Sequence, residues 1–147
     1  MKNILVPLDL KVDTGQVLGK AVELAHAFQA KLWLLHVAPP DPDFVGYEPG
    51  PQYIRDIRAE TLKEERSKLH RLVAELAVAR LEAQPIMVLG APAEAILQEA
   101  ERIPADLIVM GTHGRRGLAK AFLGSTSDDV LRANQFPVLI IPTPATT

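Results

Sequence analysis

Apolar positions along this chain alternate between two patterns. Short runs that are apolar on both faces occur at Ile4–Leu8, Leu32–Val37, Gln84–Leu89, Asp106–Met110 and Pro137–Ile141. Such runs suit strands covered on both sides, as in parallel sheets. Between them the spacing becomes helical. Val17, Leu18, Ala21, Leu24, Ala25 and Phe28 recur at three- and four-residue steps, with Asp13 or Thr14 placed to cap the start. A long charged helix is predicted from about Ile54 to Leu81, with Leu69, Leu72, Val73 and Leu76 as its inner stripe. Gly90-Ala91-Pro92 opens a third helix, proline sitting in the first turn as helices prefer, and Ile96, Leu97, Ala100 and Ile103 form its inner face. A last helix is expected from about Thr126 to Ala133. The proline- and glycine-rich stretch Pro39–Gln52 reads as a loop, long enough to suggest a functional lid. Pro142 to Thr147 reads as a frayed tail.

Strict alternation of strand and helix predicts a parallel sheet with helices on both faces. The 147 residues fit one domain, 1–147, with neither internal repeat nor linker. The chain has no cysteine, which rules out disulfides and thiolate metal sites. A net charge of −2 offers no broad basic surface for a nucleic-acid backbone. No apolar run approaches the roughly 20 residues needed to span a bilayer, and the apolar start is too short for a signal-peptide core. The expected location is the cytoplasm, with no membrane partner.

The candidate chemistry lies in Met110-Gly111-Thr112-His113-Gly114-Arg115-Arg116-Gly117, continuing to Leu123-Gly124-Ser125-Thr126. Glycines stand directly after a strand and directly before a helix. Glycine permits positive φ and close backbone approach. The N–H groups that open a helix lack intrahelical partners and carry partial positive charge, which an anion satisfies. Ser125 and Thr126 add hydroxyl donors. In open α/β sheets ligands sit beyond the carboxyl ends of strands where the strand order reverses. If the first and fourth strands are neighbours there, Pro7-Leu8-Asp9 faces the glycine loop across one crevice. Asp9 then accepts from a base or ribose hydroxyl, and His36-Val37-Ala38 walls an adenine ring.

Gly111, two residues, Gly114, nine residues, then Gly124-Ser125 resembles the ATP-binding signature of universal stress proteins. The likeness extends to Val6-Pro7-Leu8-Asp9, Leu34-Leu35-His36-Val37, Asp106-Leu107-Ile108-Val109-Met110-Gly111 and Pro137-Val138-Leu139-Ile140-Ile141-Pro142. It implies a three-layer, open, five-stranded parallel sheet of order 3-2-1-4-5, of the adenine nucleotide α-hydrolase-like kind. It implies adenine near Asp9 and Val37, and phosphates on Gly111, Thr112, His113, Gly114, Gly124, Ser125 and Thr126. With Pro7, Leu8, Met110 and Arg115 these form the expected site. ATP is the implied ligand, or AMP or ADP, with Mg2+ held through the phosphates. A homodimer through Pro137–Ile141 is also implied. The chain departs from the pattern after Asp9, where Leu10-Lys11-Val12-Asp13 replaces the usual Gly-Ser pair.

Plainer readings stand beside these. Asp9 also suits a turn, and Ser125 followed by Asp128 also suits a helix cap. Asp128 and Asp129 would repel phosphate and are expected to face away. Arg115, Arg116 and Lys120 either clamp phosphate or are solvated, and His113 reads as a backbone contact rather than a base. His36 reads as a satisfied, half-buried histidine. His26 and His70 have no metal-ligand spacing, and the charges from Arg55 to Glu82 read as a solvated helix face. Walker, dinucleotide and esterase-elbow motifs are absent, and no residue is placed to activate water. The expectation is a nucleotide-binding regulatory module with at most slow ATP hydrolysis and no catalytic residue. An ATP- or AMP-handling hydrolase or transferase, and a nucleotide-free dimeric interaction protein, are the alternatives.

Overall fold

The structure is a computed structural model, and it describes residues 1–40, 51–112 and 124–143. Five strands, β1 (Asn3–Pro7), β2 (Lys31–Ala38), β3 (Ala83–Leu89), β4 (Leu107–Gly111) and β5 (Val138–Ile141), form one parallel sheet in the order β3-β2-β1-β4-β5. Four helices connect them: α1 (Gly15–Phe28), α2 (Gln52–Val78), α3 (Pro92–Arg102) and α4 (Ser125–Ala133). The expected sheet order and its helical layers are therefore present.

Each strand divides its side chains between two cores. Ile4, Val6, Leu32, Leu34 and Val109 meet Val17 and Ala21 of α1 and Leu69 and Leu76 of α2 on one face. Leu5, Leu35, Ile108 and Met110 meet Ile96 and Ala100 of α3 and Val130 of α4 on the other. Ile4, Leu5 and Val6 have no solvent exposure, as expected of a central parallel strand.

The helix starts settle one expectation and depart from another. At α1 it is Asp13 whose Oδ1 accepts the Gly15 N–H at 2.8 Å, while Thr14 makes no side-chain cap bond. At α4 the residue before the helix is Gly124, and Ser125 is already helical without a capping bond. Phe28, read as an inner position, is half exposed because it falls on the last turn of α1, beyond the sheet. Pro142 and Thr143 are not a frayed tail: the Thr143 N–H donates to Thr112 Oγ1 at 3.1 Å.

The two central strands are also joined at their starts. Asp106 Oδ2 accepts the N–H groups of Lys2 at 2.6 Å and Asn3 at 2.9 Å, and its own N–H donates to the Asn3 carbonyl at 2.8 Å. The Asn3 N–H, then that of Lys2, hold the Asp106 carboxyl below its usual range. The fold thus prefers the charged form. Its contribution is complete above the ordinary carboxylate range and is lost as pH falls through the lowered value. In urea unfolding, Asp106→Asn is expected to be less stable than the parent at pH 7, with the difference closing below about pH 4. A difference that stays constant down to pH 2.5 would remove this role.

Candidate functional site

The sheet order reverses between β1 and β4, whose pairing Ile4 with Leu107 and Leu5 with Ile108 makes them direct neighbours. Helices leave these strands toward opposite faces, so a crevice opens outside their carboxyl ends. Its volume is about 220 Å³. Pro7, Leu8 and Asp9 line it from β1, Val37 from β2, and Met110 and Gly111 from β4. Thr126 reaches it from the first turn of α4. Seven of the expected site residues thus share one crevice. Gly124 and Ser125 line an adjoining depression with Asp129, and Thr126 belongs to both. Thr112 stands at its edge through the bonds described below. His113, Gly114 and Arg115, with Arg116 and Lys120, lie outside the described residues.

The two described glycines of the loop have reasons different from close ligand approach. A Cβ on Gly111 would stand 2.9 Å from Thr143 Cγ2 and 3.0 Å from Val17 Cγ2. Gly111 is bare because two side chains already occupy that space. Gly124 has φ +110°, and a Cβ there would meet the Thr112 carbonyl oxygen at 2.6 Å. That backbone turns the chain into α4, whose opening N–H groups have no intrahelical acceptor.

Several supports were not legible in the sequence. Ser127 is buried, and its hydroxyl donates to the Gly111 carbonyl at 3.1 Å, fixing the start of α4 to the end of β4. The Thr112 N–H donates to the Ile141 carbonyl at 3.1 Å, and the Thr112 and Thr143 hydroxyls lie 3.1 Å apart. Thr143 itself lines the crevice. Asp9 Oδ1 accepts the Lys11 N–H at 3.0 Å, as its reading as a turn residue predicts, and Asp9 also lines the crevice. Asp128 faces Arg132 at 3.0 Å, as expected of a carboxylate turned away. Asp129 instead lines the depression beside Gly124.

His36 is more enclosed than half-buried, at 6% exposure. Its Nε2 lies 2.9 Å from Glu65 Oε2, so the ring nitrogen donates and the carboxylate accepts. Its Nδ1 faces the Leu8 carbonyl at 3.5 Å. Glu65 therefore leaves the solvated face expected for α2 and lines the crevice with His36. Lys68, one turn on, donates to the Leu10 carbonyl at 2.5 Å and anchors α2 to the same rim. The sequence signal was available: Glu65 precedes the buried Leu69 by four residues, one helical turn along the same face.

A parallel sheet of this order, with strand ends and a glycine-turned helix start around a switch-point crevice, defines a doubly wound α/β protein. The universal stress protein family model matches residues 1–142, and the chain belongs to that family. A universal stress protein of Thermus aquaticus is 35% identical over 142 residues, covering 95% of this chain and 98% of its own. A solved universal stress family structure from Burkholderia pseudomallei is 31% identical and covers 97% of this chain and 96% of its own, with a TM-score of 0.74. Two more distant structures share the fold. One, from Archaeoglobus fulgidus, is in complex with dAMP (22% identity, 95% and 97% coverage, TM-score 0.68). The other, from Arabidopsis thaliana, has AMP bound (20% identity, 99% and 94% coverage, TM-score 0.67).

Gly124→Ala should destabilise the ligand-free protein by at least about 1–3 kcal/mol, from the positive φ together with the clash of its Cβ against the Thr112 carbonyl. Thermal and urea unfolding without nucleotide measure it, and a variant as stable as the parent would contradict the assigned backbone role.

Proposed function

We propose that the crevice binds an adenine nucleotide, and that the chain is an ATP-binding regulatory module of the cytoplasmic stress response with at most slow ATP hydrolysis. The observation that carries this reading is the meeting of the Gly124-turned start of α4 with the carboxyl ends of β1, β2 and β4. The donor set fits the ligand. Unpaired N–H groups at a helix start suit phosphate, as do the hydroxyls of Ser125 and Thr126. Pro7, Leu8 and Val37 offer apolar surface to a base. His113, Gly114 and Arg115 complete the phosphate side in this reading. Mg2+ would be held through the phosphates. The AMP and dAMP complexes of the two distant relatives support the ligand class.

Mass spectrometry of the purified protein should detect ATP, ADP or AMP. The double variant Ser125→Ala with Thr126→Val spares Gly124 and the fold. It is expected to weaken ATP binding at least about tenfold, given roughly 1.5–3 kcal/mol for each charge-assisted hydrogen bond. Equal ATP affinity of variant and parent in calorimetry would remove the phosphate assignment. A turnover assay with ATP and Mg2+ separates the module from a hydrolase on the same scaffold, since several turnovers per second would favour the enzyme.

The same proposal includes a homodimer through β5. All four β5 residues are half-buried and apolar on an outer strand. The opposite outer strand, β3, carries Pro85 in its interior, and proline blunts an edge against pairing. Sedimentation equilibrium should give twice 16.0 kDa, and a mass of one chain at micromolar concentration would refute the dimer.

A further inference from the structure

We infer that Glu65, held by His36, reads the base of the nucleotide by accepting a hydrogen bond from its exocyclic 6-amino group. This rests on the adenine-nucleotide reading above and names the residue that sets its base preference.

The argument begins with position. Across the crevice the strand ends run β2, β1, β4. Neighbouring strands are spaced about 4.8 Å apart, so β2 and β4 stand roughly 10 Å apart, a span suited to a nucleoside monophosphate. The helix start that suits phosphate lies at the β4 end. The base therefore lies at the β2 end, beside Val37, with the sugar between them near Asp9. His36 belongs to that β2 end. Its side chain points to the opposite face of the sheet from Val37, toward α2, as alternation along a strand requires.

Glu65 is brought there from α2. Its side chain is 15% exposed and that of His36 8%, so the pair is largely shielded, where hydrogen bonds discriminate most. Among the described residues Glu65 is paired with His36 alone, through Oε2. The imidazole fixes the carboxylate through Oε2, Glu65 lines the crevice, and the second carboxylate oxygen is left as an acceptor. A carboxylate is acceptor-only. A purine bearing a 6-amino group satisfies it, whereas a 6-oxo purine sets a second acceptor against it at position 6 and moves its donor to N1–H, out of line with an oxygen placed for the 6-amino group. Sites that hydrogen-bond a polar group reject analogues lacking it far more strongly than apolar pockets reject shape changes. Glu65 is thus a specificity-determining residue in a position that the expected site left out.

AMP and IMP are the probes, since they differ in the 6-amino against 6-oxo group. Calorimetry on the full chain should find AMP bound about tenfold or more tighter than IMP. Glu65→Gln keeps the size of the side chain and an oxygen for His36, but turns an amide N–H₂ toward the ligand. The AMP/IMP ratio should then fall to about one or invert, with little change in the thermal midpoint. A purely structural Glu65 would weaken both nucleotides equally and leave the ratio unchanged, which overturns the inference. A second arm needs no variant: purine riboside monophosphate, without the 6-amino group, should bind the parent more weakly than AMP, and equal binding also overturns it. If the parent binds AMP normally in either failure, the nucleotide reading stands and only the role of Glu65 falls. If the parent binds none of the three, both fall together.

Discussion

Everything in this fold depends on β1 being buried on both faces while paired on both edges. Ile4, Leu5 and Val6 have no exposed surface, and the strand is hydrogen-bonded to β2 on one side and β4 on the other. β1 is followed by α1 on one face, while its β4 neighbour is followed by α4 on the other. The two chain exits diverge, and the gap between them cannot be filled by either connection. The crevice is a consequence of how the core closes, before any residue is chosen for binding.

That dependence explains what was legible in the sequence. The strands announced themselves as two-sided apolar runs because both their faces are covered, and all five lie within one residue of their expected ends. The strand-end residues Pro7, Leu8, Asp9 and Val37 follow from the switch-point rule, Met110 and Gly111 from the glycine spacing, and the full sheet order from the family resemblance. Less visible were contacts that depend on two elements meeting. Ser127 looks in sequence like any first-turn serine, and only the approach of α4 to Gly111 gives its hydroxyl a partner. Glu65 sits among many charges on a long helix. Its inward turn depends on where β2 delivers His36. At α4 local composition favours Ser125 as the cap, but the positive φ of the residue entering the helix demands the glycine at 124.

The glycines carry a broader lesson about motif reading. A glycine-spaced loop invites the explanation that a ligand must come close. At Gly111 the close neighbours are Thr143 and Val17, and at Gly124 the close neighbour is the Thr112 carbonyl. The spacing of the motif is set at these two points by the protein's own packing. For the proposed nucleotide this surface is already preorganised, which lowers the ordering cost of binding.

The bonds between Thr112 and Thr143 have a consequence for handling this molecule. They make the segment just past β5 part of the crevice wall. A fluorescent label attached at Thr143 would therefore stand at the opening itself. A label at Lys2, beside Asp106 at the amino ends of the two central strands, leaves the crevice unobstructed.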